Sequence, residues 1–463
     1  MKKILLLVIL VIQNISAQII SKDPTFASNG IATMPGNLTW SMVQNSNNQI
    51  YFTHNVNTGS GINVTESYLS RLTANGTLDS TFGNTGKTQL PNNSYLNEVK
   101  IQPDGKLVVF GFTNTSAAAI SRILSNGQLD SSFGTNGTVV ISSLVTDQNY
   151  ASYGVILQND KILVHAIRYV ENIQNQHIIL RLNTNGSLDT TFGSNGYVTT
   201  QGSPAGRTFV RTDNQNNIIC FNTNSGFIQK FNSNGQPVTN FGNNGISPLL
   251  DANGYGYGST SAMVVDSNNK ILFSLSSDDK LLRINPDGTL DHTFNYNVNT
   301  NSGLNGGAWI QSITEKNGSY YLGGIGVSSN LISKLTQNGS VDPIFNDYLQ
   351  TDSDAEEMIV NNDNIIVRGN GHIVKYLLTN ATLSTTDFTK INNDISFENP
   401  MKQTLIYQSK EKVNKIEIYS LDGRALKTLK DNNVSVSDLP KGFYMVKITF
   451  EKGNSTTRKL IKD

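Results

Sequence analysis

The chain has 463 residues, 35 Lys or Arg against 35 Asp or Glu, and a charged fraction of 15%, where roughly a quarter is usual for a soluble domain. A neutral surface rich in Asn, Ser, Thr and Gly offers no basic footprint for nucleic acid. Cys220 is the single cysteine, which excludes an intramolecular disulfide and leaves packing to hold the fold.

Residues 1–17 read as a signal peptide: Lys2 and Lys3 start it, Ile4 to Ile12 form an apolar run, and Ser16-Ala17 make a small-residue cleavage site before Gln18. The run is too short to cross a bilayer. Cleavage by signal peptidase and export are therefore expected.

From Asp23 the chain is governed by one recurring phrase. Asp23-Pro24-Thr25-Phe26-Ala27-Ser28-Asn29-Gly30 is its tail without a head. Fuller copies start at Arg71 (RLTANGTLDSTFGNTG), Arg122 (RILSNGQLDSSFGTNG), Arg181 (RLNTNGSLDTTFGSNG), Lys230 (KFNSNGQPVTNFGNNG), Arg283 (RINPDGTLDHTFN) and Lys334 (KLTQNGSVDPIFN). A worn head follows at Tyr376-Leu377-Leu378-Thr379-Asn380. The marks at Asn75, Asn126, Asn185, Asn234, Asp287 and Asn338 are spaced by 51, 59, 49, 53 and 51 residues. Between copies, strand-like runs flank tight turns such as Pro103-Asp104-Gly105, and no unit shows a helical apolar period. Short strands at this period indicate a β-propeller.

We read an all-β chain: a seven-bladed β-propeller over residues 18–390, built from four-stranded blades, then a small β-sandwich over 391–463. Delimiting the worn ends differently gives six or eight blades. The headless tail and the tailless head point to closure, with residues near 31 to 34 completing the last blade and removing open strand edges.

The phrase resembles the repeat of the delta-60 repeat proteins, R-L-x-x-D/N-G-x-L-D-x-x-F-G-x-x-G. Pro237-Val238 replaces Leu-Asp in the fourth copy, and the fifth and sixth lack the Gly after Phe294 and Phe345.

After about Asp394 the Asn-Gly grammar stops. Phe397-Glu398-Asn399-Pro400, then a strand and turn from Ile416 through Asp422-Gly423-Arg424, then Leu439-Pro440-Lys441-Gly442-Phe443-Tyr444, and finally Arg458-Lys459-Leu460-Ile461-Lys462-Asp463 follow in order. These resemble the C-terminal sorting domain of the type IX secretion system. The resemblance implies a sorting signal carried by Asn399, Pro400, Gly423, Leu439, Pro440, Gly442, Tyr444 and Lys459. It also implies the type IX machinery as partner through 391–463, and export through the periplasm to end secreted or attached at the outer-membrane surface, as in Bacteroidota.

Catalytic signals are weak. The histidines, His54, His165, His177, His292 and His372, are dispersed and lack metal-ligand spacing. No nucleophile elbow or phosphate loop occurs. The repeated Asp79, Asp130, Asp189, Asp291 and Asp342 offer one carboxylate per loop, too few for a calcium loop, and suit local bonds to backbone N–H groups. Phe82, Phe133, Phe192, Phe241, Phe294 and Phe345 read as wedges between blades. Asp352, Asp354, Glu356 and Glu357 read as a solvated acidic face. No cofactor, metal or catalytic residue is assigned.

The remaining surface is the channel mouth, where loops carry variation on a rigid scaffold. The longer insertions are Asn55 to Glu66, Asp147 to Tyr153, Tyr169 to Gln176 and Gly254-Tyr255-Gly256-Tyr257-Gly258. Tyr255, Tyr257 and Trp309 are the candidate ligand-binding residues, for stacking on a sugar or peptide. The leading reading is a non-enzymatic binding or scaffold protein recognising an extracellular glycan or protein. The rivals are an extracellular polysaccharide hydrolase or lyase, marked by paired carboxylates in the channel, and a structural adhesion or matrix component.

Overall fold

Antiparallel strands account for the structure because β-branched and aromatic runs alternate with Asn, Asp and Gly turns. In a computed structural model the described residues are 16–34, 38–57, 64–90, 95–113, 115, 117–145, 154–168, 176–202, 208–222, 227–247, 262–275, 280–296, 309–325, 330–342, 345, 355–369, 371–382, 395–420, 425–430, 434–451 and 455–463. Two compact units divide the chain, the first spanning Ser16–Ala381 and the second containing Thr382–Asp463.

In the first unit, successive strands pair with their sequence neighbours. The blade after the N-terminus is Leu38–Gln44, Ile50–Asn57, Val64–Leu72 and Lys87–Gln89. The next two, starting at Tyr95 and Gly154, also have four strands. The groups starting at Thr208, Met263 and Trp309 show three strands among the described residues, where four were predicted. In the first of these, an isolated bridge between Gln229 and Ile246 takes the place of a fourth strand. The last sheet has five strands: Glu357–Val360, Asn364–Gly369 and His372–Thr382, with Ser16–Lys22 and Ile31–Thr33 both paired to the last of these.

That last group is completed from the other end of the chain. Ile31, Ala32 and Thr33 pair with Val374, Ile373 and His372, and the Met34 N–H donates to the Gly371 carbonyl at 2.8 Å. The innermost strand of each group packs on that of the next, and Glu357–Val360 packs back on Leu38–Gln44. These contacts close a ring, and the core is divided among its seams. Phe82, for example, packs with Tyr51 and Leu69 of its own blade and Val99, Val109 and Ile123 of the next. Phe26 does the same between the last blade and the first, with Ile373, Met42, Phe52 and Leu72.

The phrase read in the sequence joins the third strand of a blade to its fourth. Its hairpin and that between the first and second strands lie at the same face of the ring, while the inner strands begin at the opposite face.

In the second unit, Ala425–Leu429, Val413–Tyr419, Gly442–Phe450 and Ser455–Lys462 form a four-stranded antiparallel sheet in that order. Two short strand pairs, 395–397 with 407–409 and 404–405 with 434–435, supply further layers. Met401, Leu405, Ile416, Ile418, Val436, Val446 and Ile448 are the buried centre.

Candidate functional site

The copies of the phrase that carry the Asp do the same local work. Asp79 Oδ1 accepts the Thr81 N–H at 3.1 Å and its hydroxyl at 2.6 Å, closing a turn. Its other oxygen takes the Arg71 guanidinium at 2.8 Å. The same pairs recur as Arg122–Asp130, Arg181–Asp189 and Arg283–Asp291 at 2.8, 2.8 and 2.7 Å, and as Lys334–Asp342 at 2.9 Å. The basic residue at the head of the phrase, whose role the sequence reading left open, is thus the partner of the Asp eight residues on.

The guanidinium then reaches across the seam. Arg71 Nη1 donates to the Ser125 carbonyl at 2.8 Å and Arg181 Nη1 to that of Ser233 at 2.6 Å, while Arg122 and Arg283 reach Thr184 and Gln337. Each carbonyl directly precedes the Asn-Gly or Asp-Gly of the next blade. Alongside, the N–H of Gly83 donates to the Asn126 carbonyl at 2.9 Å, and Gly134 and Gly193 repeat the bond to Asn185 and Asn234. A side chain at Gly127 would meet the Gly83 nitrogen at 2.4 Å, and its φ of +92° further excludes one. The guanidinium also lies over the buried Phe, at 4.9 Å for Arg71 and Phe82 and 4.7 Å for Arg181 and Phe192.

Burial by itself would raise the Asp189 pKa. Hydrogen bonds from Lys161 and Thr191 and the charge of Arg181 outweigh it and hold this carboxyl well below its ordinary value. Asp291 behaves alike, and Asp79 and Asp130 shift in the same direction. A depressed folded-state pKa adds stability that is complete above the unfolded value and lost as pH falls through the folded one. Thermal melts are therefore expected to hold a constant midpoint from pH 7 to about 5 and to fall steeply below about 4. A midpoint that fell as much between pH 7 and 5 would contradict this linkage.

The inner strands define the channel. Their register with the second strands places Val43, Ile156, Val264 and Ile359 at one level, together with Lys100, Arg211 and Thr314. All of these are half-buried or exposed, whereas the next residue back on each strand, such as Met42, Val99, Val155, Val210 or Met358, is buried in a seam. With period-2 alternation the first set faces the axis. Glu98 and Glu357 occupy the following axial level.

Both carboxylates bridge blades. Glu98 Oε2 accepts the Val155 N–H and Glu357 Oε2 the Met42 N–H, each at 2.8 Å. Lys100 sits 2.6 Å from Glu98, and Arg368 sits 3.1 Å from Glu357 and 2.6 Å from Glu356. The predicted solvated acidic face is thus corrected in its described part: Glu356 and Glu357 are ion-paired, and Glu357 also clamps a seam. Asp352 and Asp354 lie outside the described residues.

Two families match the chain in separate stretches. Residues 58–82, 102–133, 157–192 and 272–294 match the "Domain of unknown function (DUF5122) beta-propeller", and residues 397–463 match the "Secretion system C-terminal sorting domain". The chain is a β-propeller protein with a C-terminal sorting tail.

The propeller protein resembles solved structures in fold. A streptogramin B lyase structure has a TM-score of 0.51 at 13% identity, over 78% of this chain and 98% of that one. Virginiamycin B lyase from Staphylococcus aureus gives 0.48 at 13%, over 75% and 98%. BamB from Moraxella catarrhalis gives 0.42 at 13%, over 78% and 100%. No curated protein matches the chain. Identity this low speaks to the fold and carries no activity across.

The candidate ligand residues are not brought together among the described residues. Tyr255 and Tyr257 lie outside them, as do residues 58–63, 147–153 and 169–175 of the predicted insertions. Trp309 opens an inner strand, its backbone paired with Ile325. The histidines are less dispersed than predicted, because adjacent strands stack the rings of His165 and His177 with centroids 5.5 Å apart. Among the described residues no group of three or more His, Cys, Asp or Glu converges. Cys220 is buried in a seam, which pushes its thiol pKa up and leaves it unreactive.

In the sorting tail, the signature residues mostly knit the domain. Asn399 Oδ1 accepts the Ile461 N–H at 2.8 Å, and the peptide between Asn399 and Pro400 is cis. The Tyr444 hydroxyl donates to the Pro440 carbonyl at 2.6 Å, Leu439 is buried, and Gly442 opens the central strand. Lys459 lies 4.3 Å from the centroid of the exposed Phe443 ring. Gly423 is outside the described residues.

Proposed function

We propose that this secreted, cell-surface protein is a non-enzymatic binding module: a seven-bladed ring that recognises an extracellular glycan or protein at its channel and is delivered by its tail through the type IX machinery. The observation that carries the reading is how the carboxylates are used. Asp79, Asp130, Asp189 and Asp291 are each tied to their turn and to the arginine that crosses the seam, and Glu98 and Glu357, which face the channel, accept backbone N–H bonds across seams and have cationic partners. A glycosidase needs one carboxyl group protonated and a second free to act on the sugar or on water. The arrangement here supports a rigid scaffold instead. Domain limits of 18–390 and 391–463, and attachment at the outer-membrane surface, belong to the same proposal.

The test is a glycan and surface-protein panel presented to the full mature chain, with binding and reducing-end release read in parallel. Binding without release is the expected result. Release that is lost in both Glu98→Gln and Glu357→Gln would replace this reading with the hydrolase.

A further inference from the structure

Two described arginines of the ring, Arg168 and Arg211, have no carboxylate at salt-bridge distance among the described residues, and Arg168 instead lies over the Tyr197 ring at 5.1 Å. Arg71, Arg122, Arg181, Arg283 and Arg368 each have a carboxylate within 3.1 Å. Among the described residues Arg211 has none at salt-bridge distance. Its hydrogen bond is from Nη1 to the Val210 carbonyl of its own strand, at 2.8 Å, which leaves most of the five guanidinium donors unused.

Its position is axial. Arg211 is exposed, yet protein surrounds it closely enough for burial to lower its pKa, while Glu98 and Glu357 act in the opposite sense. Those two glutamates belong to inner strands that are not neighbours of Thr208–Thr212 in the ring. The alternation that buries Val210 in a seam turns Arg211 toward the channel.

The surroundings complete a recognisable chemistry. Val43, Ile156, Val264 and Ile359 share its level, and the half-buried Phe209 lies two residues back on the same strand face. Lys100, at the same level two inner strands away, is already engaged by Glu98. The result, among the described residues, is a planar, bidentate cation with no carboxylate at salt-bridge distance, at a level lined by four aliphatic side chains with Lys100 and Thr314. A guanidinium in such a place matches a carboxylate in geometry, and the half-buried Phe209 ring two residues away adds apolar surface for a sugar ring.

We infer that Arg211 is a specificity residue for acidic carbohydrate, its guanidinium holding the carboxylate of a uronic acid inside the channel. This deepens, and rests on, the reading of the protein as a glycan-binding module. It names the ligand class and the residue that selects it.

The experiment measures binding of the full mature chain to oligogalacturonate, to the matched methyl-esterified oligomer and to a neutral glucan, with inorganic sulfate as a competitor. Wild type is expected to prefer the free acid over the ester by tenfold or so, the discrimination a charge-assisted pair supplies. Arg211→Gln should remove that preference, Arg211→Lys should retain part of it, and the melting midpoint of both should stay at the wild-type value. Equal binding of acid and ester by wild type, or an unchanged preference in Arg211→Gln, overturns the inference while leaving a glycan binder. Displacement of the acid by sulfate at equal concentration would also overturn it, as a simple anion site. Failure to bind any glycan, with a protein partner bound instead, overturns this inference and the glycan part of the reading beneath it.

Discussion

Replacing Phe26 by Ala is expected to cost about 3–5 kcal/mol, the loss seen when a fully buried aromatic is truncated. Phe26 is 1% exposed although it lies only nine residues after the expected cleavage site, where an ordinary chain terminus would be frayed. The reason is that residues 23–30 are the tail of a phrase whose head is at the other end of the propeller. The Asp23 N–H donates to the Lys375 carbonyl at 2.9 Å, as Asp79 does to Arg71, and Lys375 donates back to Gly30 at 3.0 Å, as Arg71 does to Gly86. Lys375 and Asp23 form the ion pair of that split copy at 3.0 Å. The Ala27 N–H then bonds the Asn75 carbonyl, the same seam bond that Gly83 makes to Asn126. Phe26 is therefore the wedge of the closing seam, and its removal should lower the urea midpoint as much as Phe192→Ala does. A loss below about 0.5 kcal/mol, the size of an ordinary surface change, would show that the ring does not depend on this closure.

Lys230→Ala is expected to be as damaging, about 3–5 kcal/mol, because it strands a buried carboxylate. The fourth copy has Val238 where the others have Asp, so its basic residue lacks the usual partner eight residues on. The fold supplies another. Asp213, from the turn after the inner strand Thr208–Thr212, lies 2.9 Å from Lys230 Nζ with its side chain fully buried. Hydrogen bonds from Asn217 and Lys230 overcome burial and hold its pKa down. Lys230→Met with Asp213→Leu should recover much of the loss, since an apolar pair of similar volume avoids the uncompensated charge. Strictly additive losses in the two single variants and the double would refute the pairing.

Much of the ring is legible in the chain itself. Period, turn residues and the split phrase at the two ends led to blades and to closure near residues 31 to 34, because hairpin chemistry is local and repeats itself. The wedge role of Phe82, Phe133 and Phe192 followed from a large apolar residue recurring in a polar loop, and all three are fully buried. The Asp was read as a local turn acceptor, which it is, yet half of its work was missed. The spacing of eight from Arg71 to Asp79 was visible in five of the copies and would have disclosed the pair. The replacement at Asp213 would not, since nothing near Val238 announces it.

The channel was the least legible part. Composition points to Tyr255, Tyr257 and Trp309, whereas Arg211 sits in the strand Thr-Phe-Val-Arg-Thr with no motif around it. A cation on a strand is ordinary until its partners are known.

The amino-acid sequence by itself determined the blades, their turns and the destination, because those depend on contacts within some fifty residues or on a linear signal. The tertiary structure alone decided which charges are satisfied. The guanidinium of Arg71 finds its carbonyl 54 residues on, Glu98 its N–H 57 residues on, and Glu357 its own 315 residues back. Closing the ring is what brings those groups within 3 Å, and among the described residues it leaves Arg211 facing the axis with no carboxylate at salt-bridge distance.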